Sequence, residues 1–198
     1  MKKTMIFLID NGHGGIIDGK PQTAGKRSPD FGKGVLYEGV INRKIAKKVI
    51  EFCKKEDVYV VELVPEETDI SLGERVRRAN KYKNAVLISL HCNAATTEKA
   101  NGWEIFTTVG QNNSDPVAEE IYKQMKLSFP KAKFRTDTSD GDNDKEVDFF
   151  LIKKANCISV LVENFFMTNE KDYKLLMSDS GQTKIAKAIF EAIKVINK

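Results

Sequence analysis

The chain of 198 residues carries only two histidines, and each follows the end of a short apolar run. His13 sits behind the run 4–9 in the stretch LIDNGHGG, and His91 directly follows the run 85–90. A third run, 157–162, stops at Glu163, while Asp10 closes the first. Runs this short and continuous mark strands buried on both faces. In open α/β sheets, ligands gather beyond the carboxyl ends of such strands. Residues of these types at three strand ends therefore predict one shared site. Two imidazoles and a carboxylate, with a fourth position open, form the ligand set of a catalytic zinc centre. Glu38, behind Gly34-Val35-Leu36-Tyr37, opens a helix and offers that carboxylate. An acid in a first helical turn also complements the helix dipole, and spacing leaves both roles open. Gly12, Gly14 and Gly15 either make a tight turn or let metal and substrate approach the backbone.

The elements that must position these groups alternate along the chain. Strands are predicted over 4–9, 58–64, 85–90 and, nearer a sheet edge, 102–108, with two more over 149–152 and 157–162. Apolar positions Val40, Ile41, Ile45, Val49, Ile50 and Cys53 follow helical spacing and predict a helix over 38–54. Ser71 with Glu74 makes a capping box for a second helix reaching Tyr82. Asp115 as N-cap and Pro116 at the first helical position open a third helix to Ser128, closed by Pro130. A last helix spans 181–196. Residues 15–34 and 131–147 read as loops. The fold class is α/β: a single domain over 1–198, with a twisted, mainly parallel sheet of about six strands covered by helices.

Composition narrows the partners. Hydrophobic residues make up 41% and charged residues 30%, an ordinary globular balance. A net charge of +4 would favour an anionic polymer or surface. No basic stripe is interleaved with aromatics, so a nucleic-acid partner is excluded. No segment approaches the roughly 18 apolar residues of a membrane span. Met1-Lys2-Lys3 is basic, but the run behind it is too short for a signal peptide. Cys53, Cys92 and Cys157 lack metal or disulfide spacing and read as buried free thiols. Cys92, next to His91 on a strand, projects to the opposite face and is rejected as a ligand. Asp140, Asp142 and Asp144 lack the later glutamate of a calcium-binding helix–loop–helix and read as a solvated acidic loop. Trp103 is assigned to packing, and Arg75 and Asn80 to structural hydrogen bonds.

Four stretches in this order, DNGHGG, GVLYEGVINRKIA, LGERVRRANKYKNAVLISLHCNA and ISVLVENFFMTN, resemble the zinc-dependent N-acetylmuramoyl-L-alanine amidases of the third amidase type. These peptidoglycan hydrolases occur among bacterial autolysins and phage endolysins. The resemblance runs from Ile6 to the last helix, and VENFFMTNEKDY is especially similar to endolysin catalytic domains. It implies zinc bound by His13, Glu38 and His91, with Glu163 as catalytic acid/base. The implied substrate is bacterial peptidoglycan, cut between N-acetylmuramic acid and L-alanine. Asp10 is a candidate for holding the His13 loop by hydrogen bonding, and Asn93 a candidate donor to the substrate carbonyl. Asn11 stands where many members have proline, and the segment 132–146 matches no family motif. A stem-peptide peptidase and a non-catalytic wall-binding domain are the rival readings; competent residues at all four positions argue against the second. The implied place of action is the cell wall, reached from the cytoplasm as endolysins are, or as part of a larger secreted autolysin.

Overall fold

The computed structural model describes residues 5–198; Met1-Lys2-Lys3 and Thr4, the first residue of the expected opening strand, lie outside them. The chain begins with β1 (Ile6–Asn11) and passes through two small ladders, β2 (Ile16–Ile17) with β3 (Lys20–Pro21) and β4 (Arg27–Asp30) with β5 (Val35–Tyr37). Then come α1 (Glu38–Lys55), β6 (Val60–Glu62), α2 (Leu72–Ala79), β7 (Ala85–Asn93) and β8 (Glu104–Thr107). The remainder is α3 (Asp115–Ser128), β9 (Lys145–Glu146), α4 (Phe150–Lys154), β10 (Ile158–Phe166), α5 (Glu170–Met177) and α6 (Asp179–Ile196). Six strands form the main sheet in the order β6-β1-β7-β10-β8-β9. All neighbours are parallel except β8, which runs antiparallel to β10. This is the mainly parallel, helix-covered sheet expected.

Side-chain alternation along the strands explains both the burial and the position of the site. Phe7 and Ile9 of β1, with Val86, Ile88 and Leu90 of β7, pack into the large core shared with α1, α3 and α6. Leu8 and Leu87 point the other way, to Ala79 of α2 and Leu151 of α4. With both faces covered, the strands read as unbroken apolar runs. Stepping by two along that second face leads from Leu8 to Asp10, from Leu87 to Ser89 and His91, and from Leu161 to Glu163. The face turns polar at the carboxyl ends of three adjacent strands.

Several boundaries differ from expectation. Residues 149–152 are not a strand: Phe150–Lys154 is a short helix that buries Leu151 and Ile152 and exposes Phe150. An apolar run this short fits either structure, and only the neighbouring sheet decides. Strand β10 continues past Glu163 to Phe166, with an irregularity in its pairing to β7. Helix α5 is an addition to the expected elements; the Asn169 side chain accepts from the Asp172 N–H at its start. Ser114, not Asp115, is the N-cap of α3. At α2 the Ser71 hydroxyl accepts from the Glu74 N–H at 3.3 Å, which is one half of the capping box; the Glu74 carboxylate turns to Arg77 and Arg78 instead of the Ser71 N–H. The acidic loop is only partly solvated, because Asp144 is 2% exposed. Cys53 and Cys92 are buried, whereas Cys157 is half-buried. Trp103 is buried in the core. Among the described residues, no helix is long and apolar enough to cross a membrane.

Candidate metal centre and active site

Glu38, the first residue of α1, is buried behind the two histidines. Its Oε1 lies 3.0 Å from His91 Nδ1 and its Oε2 lies 3.3 Å from His13 Nε2. The two rings meet edge to face, 5.1 Å apart. The Cys92 backbone N–H donates to Glu38 Oε1 at 3.2 Å, fixing the carboxylate. Burial alone would raise the Glu38 pKa, but hydrogen bonds from His13 and His91 prevail and hold it well below the usual carboxylate range. Burial works against charge on His91, yet Glu38 raises its pKa overall. One ligand atom from each of His13, Glu38 and His91 lies within 4.8 Å of the other two.

The His13 turn is held from three sides. His13 has φ +66°, a region that non-glycine residues seldom occupy. Its carbonyl accepts from Arg43 Nη1 at 2.7 Å, and the Gly12 carbonyl accepts from Asn42 Nδ2 at 3.0 Å. Asn42 lies one helical turn beyond Glu38, so a single face of α1 carries both a site carboxylate and the anchors of the opposing loop. The Glu38-to-Asn42 spacing of four residues is visible in the sequence. Gly12 is required by proximity: a Cβ there would stand 2.1 Å from His91 Cε1. Gly12→Ala is therefore expected to push the His91 ring aside and lower the affinity of the His13, Glu38 and His91 group for an added divalent metal, with little loss of helix content. A metal titration and far-UV circular dichroism of the same sample check this.

Asp10 acts on the turn through an intermediary. Its Oδ1 accepts from Arg75 Nη1 at 2.6 Å and its Oδ2 from the Ser89 hydroxyl at 2.6 Å. The same Arg75 nitrogen also donates to the Asn11 carbonyl at 2.9 Å. The Asp10–Arg75 pair is buried, and removing one partner from such a pair strands the other charge. Arg75→Met is expected to cost about 3–5 kcal/mol of folding stability, measured by urea unfolding. Asn93 Nδ2 donates to Glu104 Oε2 at 2.8 Å, and Glu104, the cross-strand partner of Glu163, also receives Arg135 and Lys145. Asn80 bridges to the start of β10 by accepting from the Asn156 N–H at 2.7 Å.

Glu163 pairs in register with His91 across β10 and β7. Its Oε2 is buried and receives no hydrogen bond from the described residues. Burial, together with Glu38 and Glu104, pushes its pKa up to about 8, while His91 pulls the other way. A cavity of about 460 Å³ opens over His13, His91 and Glu163, with Leu72, Phe149 and Phe150 on its apolar side. Cys92 faces away, its thiol 3.4 Å from Asn42 Oδ1. Chemically, the site offers two imidazoles and an ionised carboxylate for a cation, beside an acid that can hold or release a proton near neutral pH.

Comparison with known proteins gives the family and the fold. A family model described as N-acetylmuramoyl-L-alanine amidase matches residues 7–195. The chain is 32% identical over 190 residues to N-acetylmuramoyl-L-alanine amidase LytC of Bacillus subtilis, covering 93% of this chain and 34% of LytC. It thus spans about a third of that relative's length. It is 26% identical to the endolysin of Bacillus phage SPP1, covering 95% of this chain and 64% of the endolysin. The crystal structure of an N-acetylmuramoyl-L-alanine amidase from Clostridium difficile 630 superimposes with a TM-score of 0.82 at 25% identity, covering 98% of this chain and 97% of that one. With a family model spanning nearly all of its length, the chain belongs to the N-acetylmuramoyl-L-alanine amidase family.

Proposed function

We propose that residues 1–198 form a zinc-dependent amidase catalytic domain that hydrolyses the bond between N-acetylmuramic acid and the first L-alanine of the peptidoglycan stem peptide. One observation carries the reading: two imidazoles and an ionised carboxylate converge beside an unpartnered acid at the floor of one cavity. The donor set suits zinc, because nitrogen and carboxylate ligands with space on the fourth side are what its catalytic sites use. His13, Glu38 and His91 would hold the ion. The chemistry zinc supplies in such a set is Lewis acidity, which polarises a carbonyl and acidifies water.

The remaining work falls to the protein. Glu163 takes the proton of the attacking water on its free Oε2 and later delivers it to the departing alanine nitrogen. An amine expelled without that proton is a poor leaving group, so the acid must stand beside the bond being cut. Arg43, Arg75 and Asn42 keep His13 in its unusual backbone conformation, so the imidazole is positioned before substrate arrives. Leu72 and Phe150 offer apolar surface to the sugar and stem peptide. The substrate places the reaction in the bacterial wall, for an endolysin-like protein and for a wall-resident autolysin alike.

Digestion of purified cell walls tests the reading. New N-terminal alanine should appear, vanish after chelation and return with added zinc. Other new N-termini would identify a peptidase acting within the stem peptide and refute the assignment.

A further inference from the structure

A second group of carboxylates converges away from the histidines. Asp115 lies in the first turn of α3, and Asp142 and Asp144 lie in the loop entering β9. One carboxylate oxygen from each is within 4.8 Å of those of the other two. Asp144 is 2% exposed; its Oδ2 accepts from the Thr107 hydroxyl at 2.5 Å, but its Oδ1 receives no hydrogen bond from the described residues. Asp142 Oδ1 and Asp115 Oδ1 are also buried without a donor, although Asp115 Oδ2 accepts from the Asn112 N–H at 2.6 Å. No lysine or arginine among the described residues forms an ion pair with any of the three. Lys145, next in sequence to Asp144, turns instead to Glu104 at 3.0 Å, and the Asn143 amide is engaged by Glu119 at 2.9 Å.

Carboxylates this close repel one another, and the buried Asp144 also loses its hydration, while Asp115 and Asp142 are half-buried; a counter-charge or a proton must offset the repulsion. Burial pushes Asp144 up to about 7, with Asp142 and Asp115 adding to the rise and the Thr107 hydroxyl opposing it. A shared proton is one answer, and a cation is the other. Oxygens around one calcium ion at 2.3–2.6 Å stand apart by distances of the order seen here. The donors are all oxygen, which suits a hard cation and disfavours zinc beside its nitrogen and sulfur ligands.

We propose that Asp115, Asp142 and Asp144 form a binding site for a hard divalent cation, calcium in preference to magnesium. The loop residues can adjust to calcium's larger, irregular shell, whereas magnesium demands a near-ideal octahedron. The ion would tie the loop before β9 to the start of α3. Only residues 147–149 separate β9 from α4, so it would also steady Phe149 and Phe150 on the wall of the active-site cavity.

The test uses the full chain with stoichiometric zinc, titrated with calcium chloride or magnesium chloride in a calorimeter and followed by thermal unfolding. One calcium per chain is expected, raising the unfolding midpoint by about 5–10 °C at a hundredfold excess over Kd. Magnesium should give a smaller shift. Asp142→Asn and Asp115→Asn should lose the calcium heat and the shift while keeping their zinc, so the result does not depend on Asp144→Asn folding. The proposal is overturned if no calcium heat appears up to about 10 mM, above the range of weak calcium modules. It is equally overturned if the shift persists in both variants. A midpoint that rises as pH falls through about 7, with no response to calcium, would assign the site to a shared proton instead.

Discussion

Glu163→Ala is expected to retain zinc at the wild-type level and to lower turnover on purified cell walls by about 10²–10⁴-fold, the usual contribution of a positioned proton shuttle. The residue is half-buried, and its Oε2 has no hydrogen-bond donor among the described residues, so truncation strands no partner. Folding stability should therefore change little. Glu163→Gln keeps the shape but accepts no proton, and should be as slow as the alanine variant. Zinc content by mass spectrometry, with initial rates of reducing-end-independent peptide release, checks both. Wild-type turnover in either variant would remove Glu163 from the mechanism.

Glu38→Gln is expected to fail differently, by losing the metal. The carboxylate lies 3.0 Å and 3.3 Å from the two imidazole nitrogens and is held ionised by them. The amide keeps the volume and one acceptor oxygen but removes the charge that favours a dication. Zinc affinity should fall more than about 100-fold, beyond the usual effect of losing a hydrogen-bonded supporting residue. Competition against a calibrated chelator measures this. Activity should fall in step and recover partly in excess zinc, whereas the Glu163 variants should not respond. These opposite responses separate holding the ion from moving the proton.

Strand β1, the first part of β7 and the long helix α1 were legible in the residues alone. Strands covered on both faces need unbroken apolar side chains, and a helix on a sheet needs an apolar stripe of period 3.6. The same logic placed His13, His91 and Glu163 near strand ends, because the apolar run stops where the second face opens to the cavity. Short elements were less legible. Phe149 to Ile152 has no period long enough to distinguish a strand from a turn of helix, and the sheet face it covers decided the matter.

Local pattern alone determined the fold class and singled out His13, Glu38, His91 and Glu163 as the candidates for chemistry. Tertiary structure alone decided which of them meet. Glu38 reaches His91 across 53 positions of sequence, and Arg75 reaches Asp10 across 65. Asn93 meets Glu104, and Asp144 goes into the interior with Asp142 and Asp115 beside it. The physical reason is that burial and charge pairing depend on distances between remote segments, and the packing of the whole sheet and its helices sets those distances.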